Sequence, residues 1–335
     1  MTRVTQSEWE EFLRDRPDVH LLQTSAWGQL KADFGWEREH IVAGEIGAQL
    51  LFQPVALGFQ VAYLPRGPVY DGKSAWVHSD WPSFMDEVDA VCRERRAIFL
   101  KVEPDVWQAQ VESPDQPPSG FRISPHAIQP PRTIVISLQE SEEDILGRMK
   151  SKTRYNTRLA RRKEVMVDTS RDIDLFYDML ESTADRADFG IHNRQYFRRI
   201  YDLFAPQGEC KLFVAEYNDQ PLASILVFKR GTRSWYFYGA STTDHRDRMP
   251  TYLVQWEAMR WARDQGCKTY DLWGVPDHDE AFLEDHFLDR GDGLWGVYRF
   301  KRGFGGEVKR TAGPWDRIYR PLLYYGYTLW AGRDD

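Results

Sequence analysis

The sequence predicts an α+β protein made of two tandem domains that repeat one order of helices and strands. Its 335 residues suffice for two domains of ordinary size with a substantial core. The composition, 42 % hydrophobic and 28 % charged, is typical of a globular protein. In each half, helical patterns are followed by alternating strand patterns, then a helix, then a strand.

In the first half, Ser25 is placed to cap a helix. The buried run AIFLKVEPDV reads as a strand that ends at Pro104, which puts Glu103 at the strand end. A proline-rich loop at 113–131 and the strand RTIVISL follow. The segments that precede this run are predicted as helices at 7–16, 25–35 and 80–96 and strands at 39–43 and 49–57.

In the second half, Ser141 caps a helix that we extend through residue 163. Strands then turn at Asn218-Asp219 and Arg230-Gly231. This recurring order is that of an acetyltransferase-like (GNAT) unit. The remaining elements are two helices within 171–204, a helix over 251–267, a strand over 268–275 and a final helix from 316 to 331. We therefore expect acetyltransferase-like domains at 1–140, completed by a C-terminal helix at 316–335, and at 141–315.

The charge and cysteine content exclude several classes of protein. A net charge of −7 argues against a chain coated with positive charge. The three cysteines form no Cys-x-x-Cys pair, so neither a zinc site nor a disulfide framework is indicated. No run approaches the ~18 apolar residues that span a bilayer, and the charged N-terminus is unlike a signal peptide. We expect a cytoplasmic protein without an integral membrane segment, whose C-terminal YRPLLYYGYTLWAG is suited to peripheral membrane contact.

Residues 147–163 concentrate positive charge, with eight basic residues and no acidic one. As a helix, the segment is weakly amphipathic through Ile145, Met149, Tyr155 and Leu159. Such a helix suits a nucleic-acid backbone, although charge runs are also commonly solvated faces. The basic side chains that would contact such a backbone are Lys150, Lys152, Arg154, Arg158, Arg161 and Arg162, together with Arg302.

Four segments, in order along nearly the whole chain, resemble the Fem family of non-ribosomal peptidyltransferases, which add amino acids to the peptidoglycan stem. They are QTSAWGQLKADFGW with YLPRGPV, LKVEPDV, KSKTRYNTRLARRKEV, and the pair WYFYGASTTDHRDRMPTYLVQWEAMRWARDQGCKTYDLWGVPD and GLWGVYRFKRGFGGEVKR. The resemblance implies two acetyltransferase-like domains, a UDP-linked or lipid-linked muropeptide acceptor and no cofactor. It also implies an aminoacyl-tRNA donor, so the basic side chains named above are predicted to bind tRNA. No sustained heptad pattern occurs, so the chain resembles members without a coiled-coil arm.

The resemblance also implies roles for three residues in the transfer reaction. Lys301, on a predicted strand before a glycine-rich turn, is expected to stabilise the tetrahedral intermediate or the leaving oxygen. Phe300 is expected to stack on the terminal adenosine of the tRNA. Glu103 is expected to orient or deprotonate the attacking amine. From residue type alone, a solvated basic strand end is favoured for Lys301 and a surface glutamate before a proline for Glu103.

The acceptor is expected to contact residues in both halves. Lys31 matches the family's diphosphate-binding lysine in a WG-x-x-K context, and Arg66 lies in a rigid Pro-Arg-Gly-Pro loop. An arginine expected four residues before Tyr196 is replaced by His192, with Arg194 nearby. Tyr236 and Tyr238 alternate on one strand, and Tyr238 fits the precursor-binding tyrosine. Core packing explains these tyrosines equally well.

The acidic stretch 277–292 holds seven acids and two histidines, but its spacing fits no standard ligand motif, so a surface loop is favoured over a metal site. Two rival functions stay open. An acetyl-CoA-dependent acetyltransferase would need a glycine-rich pyrophosphate loop, which ASTTDHRDRMPTYLVQW lacks. A non-enzymatic tRNA-binding protein would bind tRNA whether or not it is charged.

Overall fold

The structure is a computed structural model that describes residues 3–72, 74–113, 116–187 and 189–331. The chain divides into two compact units, residues 1–131 with 309–335 (unit 1) and residues 132–308 (unit 2). The helices are α1 Gln6–Arg14, α2 Ser25–Asp33, α3 Trp81–Glu94, α4 Glu142–Arg148, α5 Ser151–Arg162, α6 Ile173–Ala187, α7 Arg194–Phe204, α8 Pro250–Asp264, α9 Glu280–His286, α10 Trp295–Lys301 and α11 Pro321–Ala331. The strands are β1 Arg3–Val4, β2 Glu37–Ala43, β3 Ile46–Pro54, β4 Gln60–Pro65, β5 Ala97–Glu103, β6 Arg122–Ile123, β7 Arg132–Ser137, β8 Met166–Ser170, β9 Cys210–Tyr217, β10 Gln220–Arg230, β11 Arg233–Ser241, β12 Thr269–Asp271, β13 Glu307–Arg310 and β14 Trp315–Ile318.

Each unit is built on a seven-stranded mixed sheet. The strand orders are β1-β2-β3-β4-β5-β14-β6 and β13-β7-β12-β11-β10-β9-β8. Each sheet contains a parallel pair joined by a crossover helix, β4 and β5 through α3 and β11 and β12 through α8. The order strand, two helices, three strands, helix, strand occurs from β1 to β5 and again from β8 to β12. The predicted α+β class and its recurring order are therefore confirmed.

After unit 2, the chain adds the strand β14 to the first sheet and then forms the helix α11. β14 pairs antiparallel with β5, with Trp315 opposite Val102. The predicted helix from residue 316 is wrong at its start, because Pro321 occupies the first helical position of α11 and the extended residues before it pair with β5. The two units divide after residues 131 and 308, and the domain boundaries expected at residues 140 and 315 stay predictions.

The basic segment forms two helices where one was predicted. Ser141 caps α4 as expected, but Met149 is extended and α5 begins only at Ser151. The backbone N–H of Lys150 donates to the carbonyl of Gly303, which fixes the break. The buried face of α5 is also unlike the predicted one, since it consists of the small and polar residues Thr153, Asn156, Thr157 and Ala160.

Two further segments differ from the predictions. Phe300 and Lys301 end a helix, α10, where a strand was expected, because Trp295, Tyr298 and Lys301 recur at a helical spacing on the buried face. The predicted acidic loop contains the helix α9, which Asp279 caps. Within the described ranges, no helix is long and apolar enough to cross a membrane.

Candidate active site

Lys301 lies at the C-terminal end of α10 and is almost fully buried in unit 2. Its ammonium donates to the carbonyl oxygens of Trp273 at 3.0 Å and Gly274 at 2.8 Å. It also lies 5.7 Å from the centroid of the Tyr236 ring. An ammonium has three N–H donors, and among the described residues these two carbonyls are the hydrogen-bond acceptors of Lys301.

Burial lowers the pKa of Lys301 to about 7, although the nearby carboxylate of Asp271 acts to raise it. The lysine therefore titrates close to neutral pH. A negative charge that arrives beside it would favour the protonated form, which suits a group that responds to a developing oxyanion.

The loop that receives Lys301 is shaped by residues that sequence reasoning missed. Asp271, the last residue of β12, accepts hydrogen bonds from the Thr133 hydroxyl and from the backbone N–H of Trp273 at 2.7 Å. Trp273 has a left-handed backbone with φ of 60°. Asp271 thus holds the turn that aims the Trp273 and Gly274 carbonyls at the ammonium. The sequence signal that could have identified Asp271 is its position at the end of a buried strand.

Phe300 is partly buried and packs its ring edge-on against other aromatic rings. The ring centroids of Tyr252 and Phe304 each lie 5.1 Å from that of Phe300. Tyr252 also stacks with Phe304, so the three rings form one cluster that includes Phe300, the residue directly before Lys301. Stacking of Phe300 on a base stays a prediction.

Tyr236 and Tyr238 face opposite sides of their sheet, because Phe237 is an extra residue in β11. Tyr236 pairs with Val227, whereas Tyr238 pairs with the preceding residue, Leu226. Tyr236 packs against the core cluster below α8 and lies near Lys301. The regular alternation expected along this strand is therefore interrupted between Tyr236 and Tyr238.

Tyr238 belongs to a second aromatic cluster, with α7. Its ring lies 5.0 Å from that of Phe197, and Tyr196 and Tyr238 are hydrogen-bonded. Burial raises the pKa of Tyr196, and the neighbouring Tyr238 adds to that rise. His192 stacks on the ring of Tyr196 with a centroid distance of 3.8 Å. Three of the predicted precursor-binding residues thus lie together.

Arg194 does not join this cluster. Its guanidinium lies 4.4 Å from the centroid of the Tyr177 ring, 2.6 Å from Asp178 and 3.5 Å from Asp174. These contacts connect α7 to α6. Because Arg194 is engaged with α6, it does not take the position of the arginine that was expected where this chain has His192.

The basic residues around α5 separate into two groups. Arg154 donates to the carbonyls of Leu146, Gly147 and Met149 and so caps α4. Arg161 pairs with Glu257 at 2.5 Å. In contrast, the described residues provide no acidic partner for three exposed side chains on the outer face of α5, namely Lys152, Arg158 and Arg162.

Arg302 and Lys150 share one acidic partner on α9. Glu284 accepts a hydrogen bond from the Arg302 Nε at 2.6 Å and pairs with Lys150 at 2.8 Å. Arg302, and then Lys150 and Tyr298, lower the pKa of Glu284 to about 2. Both predicted tRNA-binding residues are therefore engaged within the protein.

In unit 1, Lys31 lies against two indole rings. Its ammonium is 5.3 Å from the Trp27 ring centroid and 5.6 Å from that of Trp36. Burial lowers its pKa to about 8. Trp36 in turn lies 6.4 Å from the ring of Tyr63, which connects this lysine to the buried carboxylate of Glu103.

Glu103 ends β5, as predicted, but it is buried where a surface position was considered. It accepts hydrogen bonds from the Tyr63 hydroxyl and the Ile128 N–H, each at 2.5 Å, and from the Gln129 N–H at 3.1 Å. Burial raises its pKa, while Arg66 and these donors act in the opposite direction. Because both oxygens accept hydrogen bonds from the protein, the geometry favours a structural role over that of a base.

Arg66 is buried beside a cavity of unit 1. It donates to the Thr311 hydroxyl and to the Pro130 carbonyl, each at 2.9 Å. The cavity has a volume of about 590 Å³. It is lined in part by Arg16, Asp71 and Trp76. Across the described ranges, no group of three or more His, Cys, Asp or Glu side chains is arranged to hold a metal ion.

Two sheets with one recurring element order, and a buried lysine at the end of a helix in the second, define a tandem acetyltransferase-like protein. The sequence model of the FemAB family matches residues 4–122, 118–218 and 207–331. The chain belongs to the FemAB family. It is an aminoacyltransferase by class, as its curated relatives are.

Those relatives align along nearly their whole length. The lipid II:glycine glycyltransferases of Staphylococcus haemolyticus and Staphylococcus aureus are 25 % and 24 % identical to this chain, and each alignment covers 96 % of it and 93 % of the relative. Both alignments run over 404 positions, so the relatives contain residues that this 335-residue chain lacks. No helix in the described ranges here exceeds 15 residues, in agreement with the armless type.

Solved structures share the fold. FemX superposes with a TM-score of 0.81 at 22 % identity, covering 96 % of this chain and 98 % of its own. A tandem GNAT protein from the clavulanic acid biosynthesis pathway gives a TM-score of 0.51 at 10 % identity, with coverages of 94 % and 97 %.

Proposed function

We propose that this enzyme transfers an aminoacyl group from aminoacyl-tRNA to the side-chain amine of a peptidoglycan stem peptide and so begins or extends an interpeptide bridge. The observation that supports the proposal most is the buried Lys301, held by two backbone carbonyls with a pKa near 7. The proposed donor places the reaction in the cytoplasm.

The ester of the donor is already activated, so the reaction needs positioning more than a cofactor. The acceptor nitrogen attacks the ester carbonyl carbon, and the carbonyl oxygen takes the negative charge. Lys301 donates its remaining N–H to that oxygen. The carbon–oxygen bond to the ribose then breaks, the amide forms, and the proton lost by the nitrogen ends on the ribose hydroxyl.

The outer face of α5 supports a tRNA donor. Arg158 and Arg162 lie on this exposed face with Tyr155, whose side chain is 55 % exposed and lies under the Arg162 guanidinium. Cations beside an exposed aromatic ring fit a nucleic-acid backbone with unstacked bases. Contacts to phosphates carry no sequence information, so we expect this face to contribute affinity and not sequence preference.

The acceptor side has two supports. Lys31, over two indole rings, provides a compact positive charge for a diphosphate. The names of the staphylococcal relatives specify lipid II and glycine, which favours a lipid-linked acceptor and glycine as the first amino acid to test. A UDP-linked precursor carries the same stem and diphosphate and is the alternative acceptor.

The test is transfer of radiolabelled amino acids from a charged tRNA pool onto purified lipid-linked and UDP-linked precursors. We expect labelled precursor from at least one acceptor and none when the tRNA is deacylated before the assay. Labelling from acetyl-CoA in place of tRNA would contradict the proposal and favour an acetyltransferase. Tight tRNA binding without transfer onto either precursor would contradict it in favour of a binding protein.

A further inference from the structure

The outward face of the last helix, α11, is apolar. Pro321–Ala331 contains no charged residue. Leu322 is 89 % exposed, Tyr325 53 % and Leu329 74 %. Spacings of three and four residues place these side chains on one face of the helix. A contiguous exposed face of this kind marks an interaction surface.

The opposite face of α11 is anchored to the first sheet, so this exposure is a property of the fold. The Tyr324 hydroxyl donates to the buried carboxylate of Asp316 at 2.8 Å. The rings of Tyr324 and Tyr327 lie 5.2 and 5.3 Å from that of Phe99 on β5. The helix therefore presents its leucines outward in a fixed orientation.

Arginines border this apolar face. The exposed Arg122 donates to the Tyr325 hydroxyl at 3.1 Å. Arg320, directly before the helix, lies 5.1 Å from the Phe59 ring centroid, and Arg96 lies 4.6 Å from the same ring. Each guanidinium thus lies beside an aromatic ring, and Arg122 contacts Tyr325 of the apolar face itself.

A shallow hollow of about 310 Å³ lies between α11 and the edge strand β6. Among the described residues, its lining contains Arg122, Tyr325 and Ile123, whose side chain is 61 % exposed, and no acidic side chain. In this hollow the apolar face of α11 adjoins the positively charged Arg122. An apolar surface next to a cation can contact acyl chains and the lipid phosphate groups above them.

We propose that the face formed by Leu322, Tyr325 and Leu329, with Arg122 and Arg320 at its border, docks on an anionic lipid surface. The leucines enter the boundary between head groups and acyl chains, Tyr325 lies at the level of the head groups, and the arginines contact lipid phosphates. α11 has 11 residues, which suits a helix lying in the interface. A net charge of −7 repels anionic membranes at long range, so a local basic border is what lets this face approach one.

This surface deepens the proposed function, since a lipid-linked acceptor would be met at the membrane, yet vesicle binding is measurable without any transfer. The full chain is sedimented with phosphatidylcholine vesicles that contain or lack an equal part of phosphatidylglycerol. We expect binding that increases with phosphatidylglycerol. The double variant Leu322→Asp/Leu329→Asp should bind at least about tenfold less, since charges at the acyl boundary are costly.

Two variants separate the contributions. Arg122→Gln/Arg320→Gln should lose about fivefold per arginine on anionic vesicles only. Leu288→Asp, which changes a leucine that is 64 % exposed in unit 2, should bind as the wild type does. Retained thermal stability and unchanged transfer to a water-soluble acceptor show that the double variant is folded and that its defect is confined to the membrane.

Three results would overturn the inference. The first is a wild type that stays in the supernatant with phosphatidylglycerol vesicles, and the second is a double variant that binds them as the wild type does. The third is a wild type that is a dimer in sedimentation equilibrium, with a double variant that is a monomer. The last result would assign the face to a second copy of the chain. Failure of tRNA-dependent transfer with intact vesicle binding would instead count against the proposed function alone.

Discussion

The ammonium nitrogen of Lys301 lies 5.7 Å from the centroid of the Tyr236 ring, on the face of the second sheet that Tyr238 does not share. Tyr236 is thereby the tyrosine of β11 that neighbours the proposed oxyanion-binding group. Tyr238 instead belongs with Tyr196 and His192, so the two tyrosines should affect different steps of the reaction.

The pKa of Lys301 should be visible in the stability of the protein. Its folded pKa of about 7 is below the value of about 10.4 for an unfolded lysine, so the unfolded chain binds more protons between these two pH values. The free energy of unfolding of the wild type should therefore rise with pH in this window, by at most about 1.4 kcal/mol per pH unit, relative to Lys301→Met. Urea denaturation at pH 7 and pH 9.5 measures the difference, and a gap between the two proteins that does not change with pH would contradict the assigned pKa.

Gly239 should be required for the position of Tyr236. A Cβ atom at residue 239 would overlap the Tyr236 hydroxyl, so Gly239→Ala must displace that ring. We expect transfer to slow by about tenfold or more, because small misplacements at a reacting centre are costly. Gly296→Ala in α10 is the matched control, since nothing lies within 4 Å of its added Cβ, and it should transfer normally. Equal rates for both variants would show that Tyr236 does not contribute.

Glu103 should act on the fold more than on the chemistry. Glu103→Gln keeps the shape but converts one acceptor oxygen into a donor that faces the Gln129 and Tyr63 donors. We expect the free energy of unfolding to fall by about 1–3 kcal/mol, while the exposed Glu112→Gln leaves it unchanged. If Glu103→Gln abolished transfer at unchanged stability, the carboxylate would be a base after all.

The outer face of α5 should contribute to tRNA affinity through counterion release. Each of Arg158→Gln and Arg162→Gln should reduce the slope of log affinity against log salt concentration by about one. Arg14→Gln in unit 1, whose side chain is 72 % exposed, is the charge-matched control and should leave the slope unchanged. Filter binding of tRNA across a salt series gives the slopes. If the wild type and the three variants had the same slope, the outer face of α5 would not be the tRNA-binding surface.

The doubled order of elements could be predicted because its signals are local. The helix cap at Ser141 and the turn at Asn218-Asp219, where both residues have a left-handed backbone, depend only on neighbouring residues. Glu103 could be placed at a strand end for the same reason, since Pro104 interrupts the ladder.

The features that sequence reasoning missed depend on contacts distant in the chain. β14 is a strand because β5 is there to pair with it, 213 residues away at the Trp315–Val102 pair. The break at Met149 is held by a carbonyl of Gly303. The bulge at Phe237 leaves Tyr236, and not Tyr238, near Lys301, and no local sequence pattern indicates an extra residue in a strand.

The transfer rate of Lys301→Met shows whether this lysine stabilises the oxyanion. In a single-turnover assay with charged tRNA and precursor, we predict a loss of about 10²–10³-fold, the cost of removing one oxyanion donor. Lys268→Met, which changes an exposed lysine in the same unit, should retain the wild-type rate. A folded Lys301→Met protein that transfers as fast as the wild type would contradict the role of Lys301 in the reaction.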